Sequence, residues 1–416
     1  MKARYLATFM RRLGQKSTGR ILVLTGARQT GKTTLCRSLF SDYSFLSVED
    51  PVLRGQYAQL PASRWRDLYP RAILDEVQKE PRLIESIKSV YDQWPEPRYI
   101  LTGSSQLLLM EKVRESLAGR CIILELFPLT LPELGTQGPE DEVPLSPFLR
   151  LVLDPSTAPS LQPSFLLDPE FSRKQDAWQH YLVFGAYPAL TDTALTAEDR
   201  FEWCSNYVKT YLERDIRDLA SFRDLDAFTK LQRYLARQTA TIINAASIAA
   251  QLGLSAKTVQ RYIRYFEMSY QAISLPAWSR NQNKRLAKAP KLHYLDNGIV
   301  QAVLQKRGGI TGFEFESLVV AELFKQLRSN RVDAPLYHLR SLDGREVDLL
   351  VDLPSGYLAF EIKMTERVSA SDARHMRGLA DFLDKPLIHS FVLSQDPVTT
   401  RLSEGITAVH AAAFLS

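Results

Sequence analysis

The chain has 416 residues, of which 45% are hydrophobic and 24% are charged. This composition excludes a mostly disordered chain, a coiled-coil rod and a collagen-like fibre, and the length predicts two to four domains at about 150 residues each. No apolar run reaches the about 18 residues of a membrane-spanning helix, so we expect no membrane partner. The N-terminus lacks the apolar core of a secretory signal, and the cysteines are few and far apart. Both features predict a cytoplasmic protein.

The net charge of +5 is unevenly distributed along the chain. Eleven basic residues and a single acid, Glu267, lie between Lys230 and Lys291, so that this segment carries +10 and the rest of the chain −5. A concentrated basic segment is typical of proteins that bind nucleic acid. The charge distribution therefore predicts DNA as a partner.

The predicted elements divide the chain into four parts. Over residues 1–135, short apolar runs alternate with helical stretches, which predicts a parallel sheet covered on both faces. Residues 136–172 are rich in proline and predict a linker or an insertion. Residues 173–290 have helical patterns that include the basic segment, and residues 291–416 return to a mixed α/β pattern.

A phosphate-binding loop is the first motif along the chain. Residues 26–33 fit the pattern GxxxxGK[ST] between an apolar strand and a helix, the context in which glycines let backbone N–H groups surround the phosphates of ATP. Lys32 is expected to reach the β- and γ-phosphates and Thr33 to hold Mg²⁺. The alternative is a plain glycine turn. The predicted nucleotide-binding residues are Gly26, Ala27, Arg28, Gln29, Thr30, Gly31, Lys32, Thr33 and Thr34.

A second apolar strand ends in two acids, Asp75 and Glu76. We expect Asp75 to hold Mg²⁺ through water and Glu76 to orient and deprotonate the attacking water. We also expect this strand to be a direct neighbour of the strand that precedes the phosphate-binding loop. The alternative is a strand that ends at a solvated acidic turn.

Two further residues are candidates for a role in phosphate chemistry. Ser104 follows the next apolar strand, where a polar group can contact the γ-phosphate, although a helix N-cap is an equal alternative. Arg120 is expected to stabilise charge on the transferring phosphoryl group, in its own chain or in a neighbouring subunit of a homo-oligomer with shared ATP sites. The alternative for Arg120 is an arginine that completes a helix C-terminus.

A helix-turn-helix pattern lies within the basic segment. One helix ends at Gly253, and Ser255 caps a second, polar and basic helix of the kind that enters the major groove of DNA. The alternative is a helical domain that packs against protein and has a solvated basic face. The expected DNA-binding residues are Lys257, Thr258, Gln260, Arg261 and Arg264 of the second helix, with Lys284 and Arg285 of a basic wing or arm.

An acidic constellation lies near the C-terminus. Asp348 on one strand and Glu361 and Lys363 on the next give the pattern D…ExK, and Glu316 lies on a preceding helix. Asp348 and Glu361 are oxygen ligands of the type that Mg²⁺ prefers, and Lys363 is placed to orient water for phosphodiester cleavage. The alternative is a hairpin with an ordinary exposed acid–lysine face.

Taken in order, these motifs resemble those of bacterial and archaeal AAA-type ATPases that carry a C-terminal domain of unknown function with a PD-(D/E)xK nuclease-like fold. The matching stretches include GARQTGKTTL at 26–35, ILDEVQ at 73–78, KLHYLDNGI at 291–299 and FEIK at 360–363. The resemblance implies an α/β protein with an N-terminal parallel-sheet P-loop ATPase core, a central winged-helix and helical domain, and a C-terminal restriction-endonuclease-like domain.

The expected function is a Mg²⁺-dependent ATPase that acts on DNA, with a C-terminal domain that binds or cleaves it. Two alternatives stay open. One is a slow ATP-dependent switch or scaffold that binds a protein partner and has an inert nuclease fold. The other is a DNA-cutting enzyme controlled by ATP.

Overall fold

The computed structural model describes residues 1–16, 19–103, 113, 115–157, 159–219, 225–281, 288–341 and 344–416, and for 211–219 the backbone alone.

The N-terminal part of the chain forms a five-stranded parallel sheet in the order β2-β3-β4-β1-β5. Its inner strands are apolar and buried because helices cover both faces, and the predicted parallel α/β architecture is confirmed. The strands are β1 (Ile21–Thr25), β2 (Ser44–Ser47), β3 (Arg71–Asp75), β4 (Arg98–Thr102) and β5 (Ile122–Glu125). The helices are α1 (Tyr5–Gly14), α2 (Lys32–Leu39), α3 (Pro51–Ala58), α4 (Ala62–Leu68) and α5 (Arg82–Gln93).

Strand β4 lies between β1 and β3. The expectation that the acidic strand directly neighbours the phosphate-loop strand was therefore wrong. β4 follows β3 in the chain and pairs with both β3 and β1, so it separates the acidic strand from the phosphate-loop strand. The inserted strand brings its own last residue, Thr102, to the edge where both motifs meet.

The proline-rich stretch packs against the C-terminal part of the chain. It contains two short helices, α6 (Leu131–Leu134) and α7 (Pro147–Leu153). The ring of Phe148 in α7 is fully buried and lies 6.0 Å from that of Phe360. This stretch is thus packed into a core, which favours an insertion over an open linker.

The middle of the chain combines helices with a three-stranded antiparallel sheet in the order β6-β8-β7. Strand β8 and helix α13, which we expected in the C-terminal domain, pack with this middle part. The helices are α8 (Phe171–Phe184), α9 (Ala197–Leu219), α10 (Leu225–Arg237), α11 (Ala245–Leu252), α12 (Ala256–Met268) and α13 (Asn297–Leu304). The strands are β6 (Thr241–Ile242), β7 (Ala272–Leu275) and β8 (Lys291–Tyr294).

The C-terminal part is a six-stranded mixed sheet in the order β13-β14-β12-β11-β10-β9, packed against a long helix. The helices are α14 (Gly312–Ser329) and α15 (Ala411–Leu415), and the strands are β9 (Leu336–Arg340), β10 (Glu346–Leu353), β11 (Gly356–Ile362), β12 (Leu387–Ser394), β13 (Thr400–Ser403) and β14 (Ile406–His410). Across all the parts described, no helix is both long enough and apolar enough to cross a bilayer.

Candidate functional site

The loop from Gly26 to Gly31 joins β1 to α2 and has backbone geometry that requires glycine. Gly26 has a φ of 146°, and a Cβ built there would lie 2.1 Å from the carbonyl oxygen of Leu126. Gly31 caps α2 in the left-handed region, with a φ of 92°, and no atom lies within 4 Å of a Cβ built on it. The loop is therefore held tightly on the side of β5 and has open space where the helix begins.

Lys32 is buried, with 6% of its surface exposed, and its ammonium group lies inside the loop. It donates hydrogen bonds to the carbonyl oxygens of Gly26 at 3.0 Å and Ala27 at 2.8 Å. A buried ammonium at a helix N-terminus creates a strong preference for an anion, because the charge and the helix dipole have the same sign. This arrangement fits the phosphates of a nucleotide.

Asp75 at the end of β3 lies between two hydroxyl groups. The Thr33 hydroxyl is 3.0 Å from both carboxylate oxygens, and the Thr102 hydroxyl of β4 donates a hydrogen bond to Oδ1. Burial raises the pKa of Asp75, while the two hydroxyl groups and Lys32 lower it in part. A half-buried carboxylate beside a threonine hydroxyl is a set of oxygen donors that fits Mg²⁺.

Glu76 follows Asp75 with a left-handed backbone, φ 59°, which is strained for a glutamate. Its carboxylate accepts a hydrogen bond from the side-chain amide of Gln78. The strained turn follows Asp75 directly, so that two consecutive acids lie at the carboxyl end of β3. Strain of this kind is typical of functional positions.

A residue far away in the sequence, Arg4, forms a hydrogen bond with the backbone of the phosphate loop. The buried guanidinium of Arg4 donates to the carbonyl oxygens of Thr30, at 3.2 Å, and of Phe127. It also lies 3.4 Å from the carboxylate of Glu133. The sequence analysis missed Arg4, and its only signal was an arginine at the start of an amphipathic helix.

The middle part of the chain also reaches the loop. The hydroxyl of Tyr270, which follows α12, lies 2.7 Å from the hydroxyl of Thr25, the residue before Gly26. Tyr270 also donates to Glu125, which in turn pairs with Arg328 of the C-terminal part. These contacts connect all three parts of the chain at the base of the phosphate loop, and no motif predicted them.

Of the other candidates for phosphate chemistry that the structure describes, Arg120 is not brought to this site. Ser104 lies outside the described residues. Arg120 precedes β5 at the amino-terminal edge of the parallel sheet, the edge opposite the phosphate loop, and its guanidinium bonds to Asp92 at 2.7 Å. Thr34 is exposed on the first turn of α2. A role for Arg120 in a neighbouring subunit stays a prediction.

The helix-turn-helix pattern coincides with α11 and α12. Gly253 ends α11 in the left-handed region, φ 68°, and the Ser255 hydroxyl accepts from the Thr258 N–H at 3.0 Å, as a helix N-cap does. The inner face of α12 is buried and consists of Val259, Tyr262 and Phe266. On the outer face of α12, Lys257, Gln260, Arg261 and Arg264 are exposed and Thr258 is half-buried, whereas Lys284 and Arg285 lie outside the described residues.

The C-terminal candidates meet in one place, which we call the acidic cluster: Glu316 of α14, Glu346 and Asp348 of β10, and Glu361 of β11. Lys363 lies 2.6 Å from Glu361. A second lysine, Lys291 of β8, was not predicted as part of this site. Its Nζ lies 2.5 Å from Glu316 and 3.5 Å from both Glu346 and Asp348.

Burial, followed by the charges of neighbouring groups, shifts the pKa values of the acidic cluster. Burial and the charge of Asp348 raise the pKa of Glu316 to about 8, although Lys291 opposes this. Burial and Asp348 likewise raise the pKa of Glu361 to about 7. Burial acts to lower the pKa of Lys291, but the carboxylates of Glu316 and Asp348 outweigh it and raise that pKa.

Comparison with known families agrees with the geometry of the N-terminal site. Residues 18–135 match the model of an AAA domain. Residues 175–308 and 311–414 match two domains of unknown function, DUF8612 and DUF4143. The parallel sheet and the phosphate loop agree with this match, and the N-terminal part is similar to the AAA-type P-loop ATPases.

Two curated relatives match almost the whole chain. These are the uncharacterized proteins Rv2008c of Mycobacterium tuberculosis and Mb2031c of Mycobacterium bovis, each 27% identical over 406 residues. The alignment covers 95% of this chain and 81% of each relative. Among solved structures, the Walker-type ATPase paby2304 of Pyrococcus abyssi matches 71% of this chain and 95% of its own, with 13% identity and a TM-score of 0.43.

Proposed function

We propose that this protein is a Mg²⁺-dependent ATPase that acts on DNA. The observation that carries the proposal is the meeting of two segments at the carboxyl edge of one parallel sheet: Lys32 and Thr33 begin α2, and Asp75 and Glu76 lie at the end of β3. Parallel α/β sheets bind ligands at this edge.

Each residue has a role in this mechanism. The loop N–H groups and Lys32 hold the phosphates. Thr33 and Asp75 would hold Mg²⁺, whose positive charge, when the ion is bound, would stabilise the negative charge that develops on the phosphate oxygens. Glu76 orients a water molecule and accepts its proton at a carboxylate oxygen. Thr102 keeps Asp75 oriented and ionised through its hydrogen bond. Arg4 and Tyr270 fix the loop backbone on which these groups depend.

DNA contact is proposed for the outer face of α12. Four polar or basic side chains are exposed along it, and the antiparallel strands β7 and β8 follow it, as in a winged helix. Because the exposed groups are mainly cations, we expect contacts to phosphate to dominate, with strong dependence on salt and little choice of sequence.

A nuclease-like fold for the C-terminal part belongs to the same proposal. A helix carrying Glu316 packs beside antiparallel strands that carry Asp348 and Glu361, and the three carboxylates meet at one point, as the D…ExK pattern predicts. In this proposal the domain contributes to the hold on DNA.

The test measures ATP turnover and DNA binding on the same set of protein variants. We expect duplex DNA to raise phosphate release, and Lys257→Glu with Arg261→Glu to weaken DNA binding at low salt by at least about tenfold, since two phosphate contacts are replaced by repulsion. Arg37→Glu with Arg64→Glu, exposed residues of the ATPase part, gives the same change in charge as a control. Equal loss of binding in both double variants would overturn the assignment to α12.

A further inference from the structure

The ammonium group of Lys291 lies where three carboxylates of the acidic cluster converge. Lys291 Nζ is within 3.5 Å of oxygens from Glu316, Glu346 and Asp348, which come from one helix and one strand. The Lys291 side chain is 4% exposed, and those of Glu316 and Asp348 are 9% and 7% exposed. Lys291, Glu316 and Asp348 are therefore enclosed together, whereas the side chain of Glu346 is 41% exposed.

The backbone around Lys291 holds this ammonium in place. Strand β8 is the central strand of its sheet, and Lys291 pairs with Leu275 of β7 on one side and Ile242 of β6 on the other. The carboxylate of Asp348 is fixed as well, because its Oδ2 accepts the N–H of Ile362 at 2.8 Å. Neither partner can swing away without breaking the sheet or the core.

A protonated lysine and a divalent cation exclude each other at this point. An ammonium group has three donors and no lone pair, so it cannot act as a metal ligand, and it repels a second cation. Metal ions need their oxygen ligands at about 2.0 to 2.6 Å, the same space that Nζ occupies between these carboxylates. The remaining carboxylate, Glu361, is already paired with Lys363 at 2.6 Å.

We infer that Lys291 is the built-in cation of the acidic cluster, so that the C-terminal part holds no divalent cation there and does not cleave DNA by a metal-dependent route. The inference starts from the nuclease-like interpretation proposed above and is independent of ATP hydrolysis. It explains why the acids of a D…ExK pattern remain together in a buried site: they anchor β8, and with it the middle part of the chain, to α14 and β10.

The experiment uses Mn²⁺ as a probe of the full-length chain without nucleotide. The ATP site contributes equally to every variant, so differences in Mn²⁺ stoichiometry report on the acidic cluster. We expect the Asp348→Asn variant to bind the same number of Mn²⁺ ions as the unaltered protein. The Lys291→Met variant is expected to bind one additional Mn²⁺ ion. A double variant that combines Lys291→Met with Asp348→Asn should not bind this additional ion.

A thermal measurement gives a second readout. Lys291→Met leaves its carboxylates unpaired, so we expect a lower melting temperature than that of the unaltered protein, raised again by about 5 °C at saturating Mn²⁺. The control is Lys174→Met, because Lys174 is another poorly exposed lysine, which pairs with Asp168 at 2.8 Å outside the acidic cluster. Mn²⁺ should not restore that variant.

Two results would overturn the inference. One is Mn²⁺ binding by the unaltered protein that disappears in Asp348→Asn. The other is a folded Lys291→Met variant that gains no site. If the Lys291→Met variant does not fold, the inference is tested by comparing the Mn²⁺ stoichiometry of the unaltered protein with that of Asp348→Asn. Because ATP turnover plays no part in these readouts, failure here is distinguishable from failure of the proposed function.

Discussion

The hydroxyl of Thr102 donates a hydrogen bond to the carboxylate of Asp75, and the two residues end adjacent parallel strands. This contact exists because β4 lies between the phosphate-loop strand and the acidic strand. Asp75 therefore has Thr33 on one side and Thr102 on the other, and the two hydrogen bonds hold the orientation of its carboxylate.

Replacing Thr102 tests this arrangement. The Thr102 hydroxyl lowers the pKa of Asp75 against the larger effect of burial. Thr102→Val removes that hydrogen bond, so the pKa of Asp75 rises and the acidic limb of the kcat/KM profile for ATP moves to higher pH. We also expect a higher Mg²⁺ requirement, measured by titrating Mg²⁺ in a turnover assay. Thr102→Ser should restore both, and a profile unchanged in Thr102→Val would contradict this role.

Arg4 should matter for stability far more than its position near the N-terminus suggests. Arg4→Met leaves the buried carboxylate of Glu133 without its cation, and losing one partner of a buried pair costs about 3–5 kcal/mol in the free energy of unfolding. Urea unfolding measures the loss. The control is Arg11→Met, which removes an exposed pair with Glu140 and should change stability by less than about 0.5 kcal/mol. Similar losses in both variants would argue against a supporting role for Arg4.

Tyr270 connects the proposed DNA-contacting helix with the phosphate loop. We expect Tyr270→Phe to bind DNA normally but to lose part of the DNA stimulation of ATP turnover, because Thr25 and Glu125 lose a shared partner. Phosphate release with and without DNA measures this. Tyr294→Phe is the matched control, since its hydroxyl donates to the Gln232 carbonyl within the middle part. An equal loss of stimulation in both variants would show that the effect is not specific to Tyr270.

The acidic cluster predicts a stability that falls with rising pH. The folded-state pKa of Glu316 is raised to about 8, above its ordinary value near 4.5, so its contribution is complete below pH 4.5 and is lost as the pH rises through 8. We expect the free energy of unfolding to fall by about 2 kcal/mol or more between pH 6 and pH 9. Glu316→Gln cannot ionise and should flatten this dependence. Chemical unfolding at several pH values measures it, and an unchanged slope in Glu316→Gln would contradict the assignment.

The sequence was informative where local pattern determines local structure. The glycines of residues 26–31 need positive φ or close approach, and alternating apolar runs specify a parallel sheet. Ser255 and Gly253 likewise mark helix ends through their own hydrogen bonds and backbone geometry. The AAA-type interpretation came from the resemblance of the motifs, taken in order, to those of a known family.

What the sequence did not show depends on strand order and on contacts between distant segments. Nothing local indicates that β4 inserts beside β1, or that Arg4 and Tyr270 reach the phosphate loop from other parts of the chain. Lys291 was counted with the DNA-contacting charges because its neighbours in sequence are basic. Its actual partners lie on α14 and β10, so its role emerges only from the tertiary structure.

The most direct test of the central claim is steady-state phosphate release from Mg²⁺-ATP by the unaltered protein and by Glu76→Gln, with nucleotide binding measured in parallel. Loss of a general base lowers turnover by about 10²- to 10⁴-fold, while Lys32 and the loop still bind ATP. We therefore predict near-complete loss of phosphate release with ATP affinity within about threefold of the original. Turnover in Glu76→Gln equal to that of the unaltered protein would contradict the account.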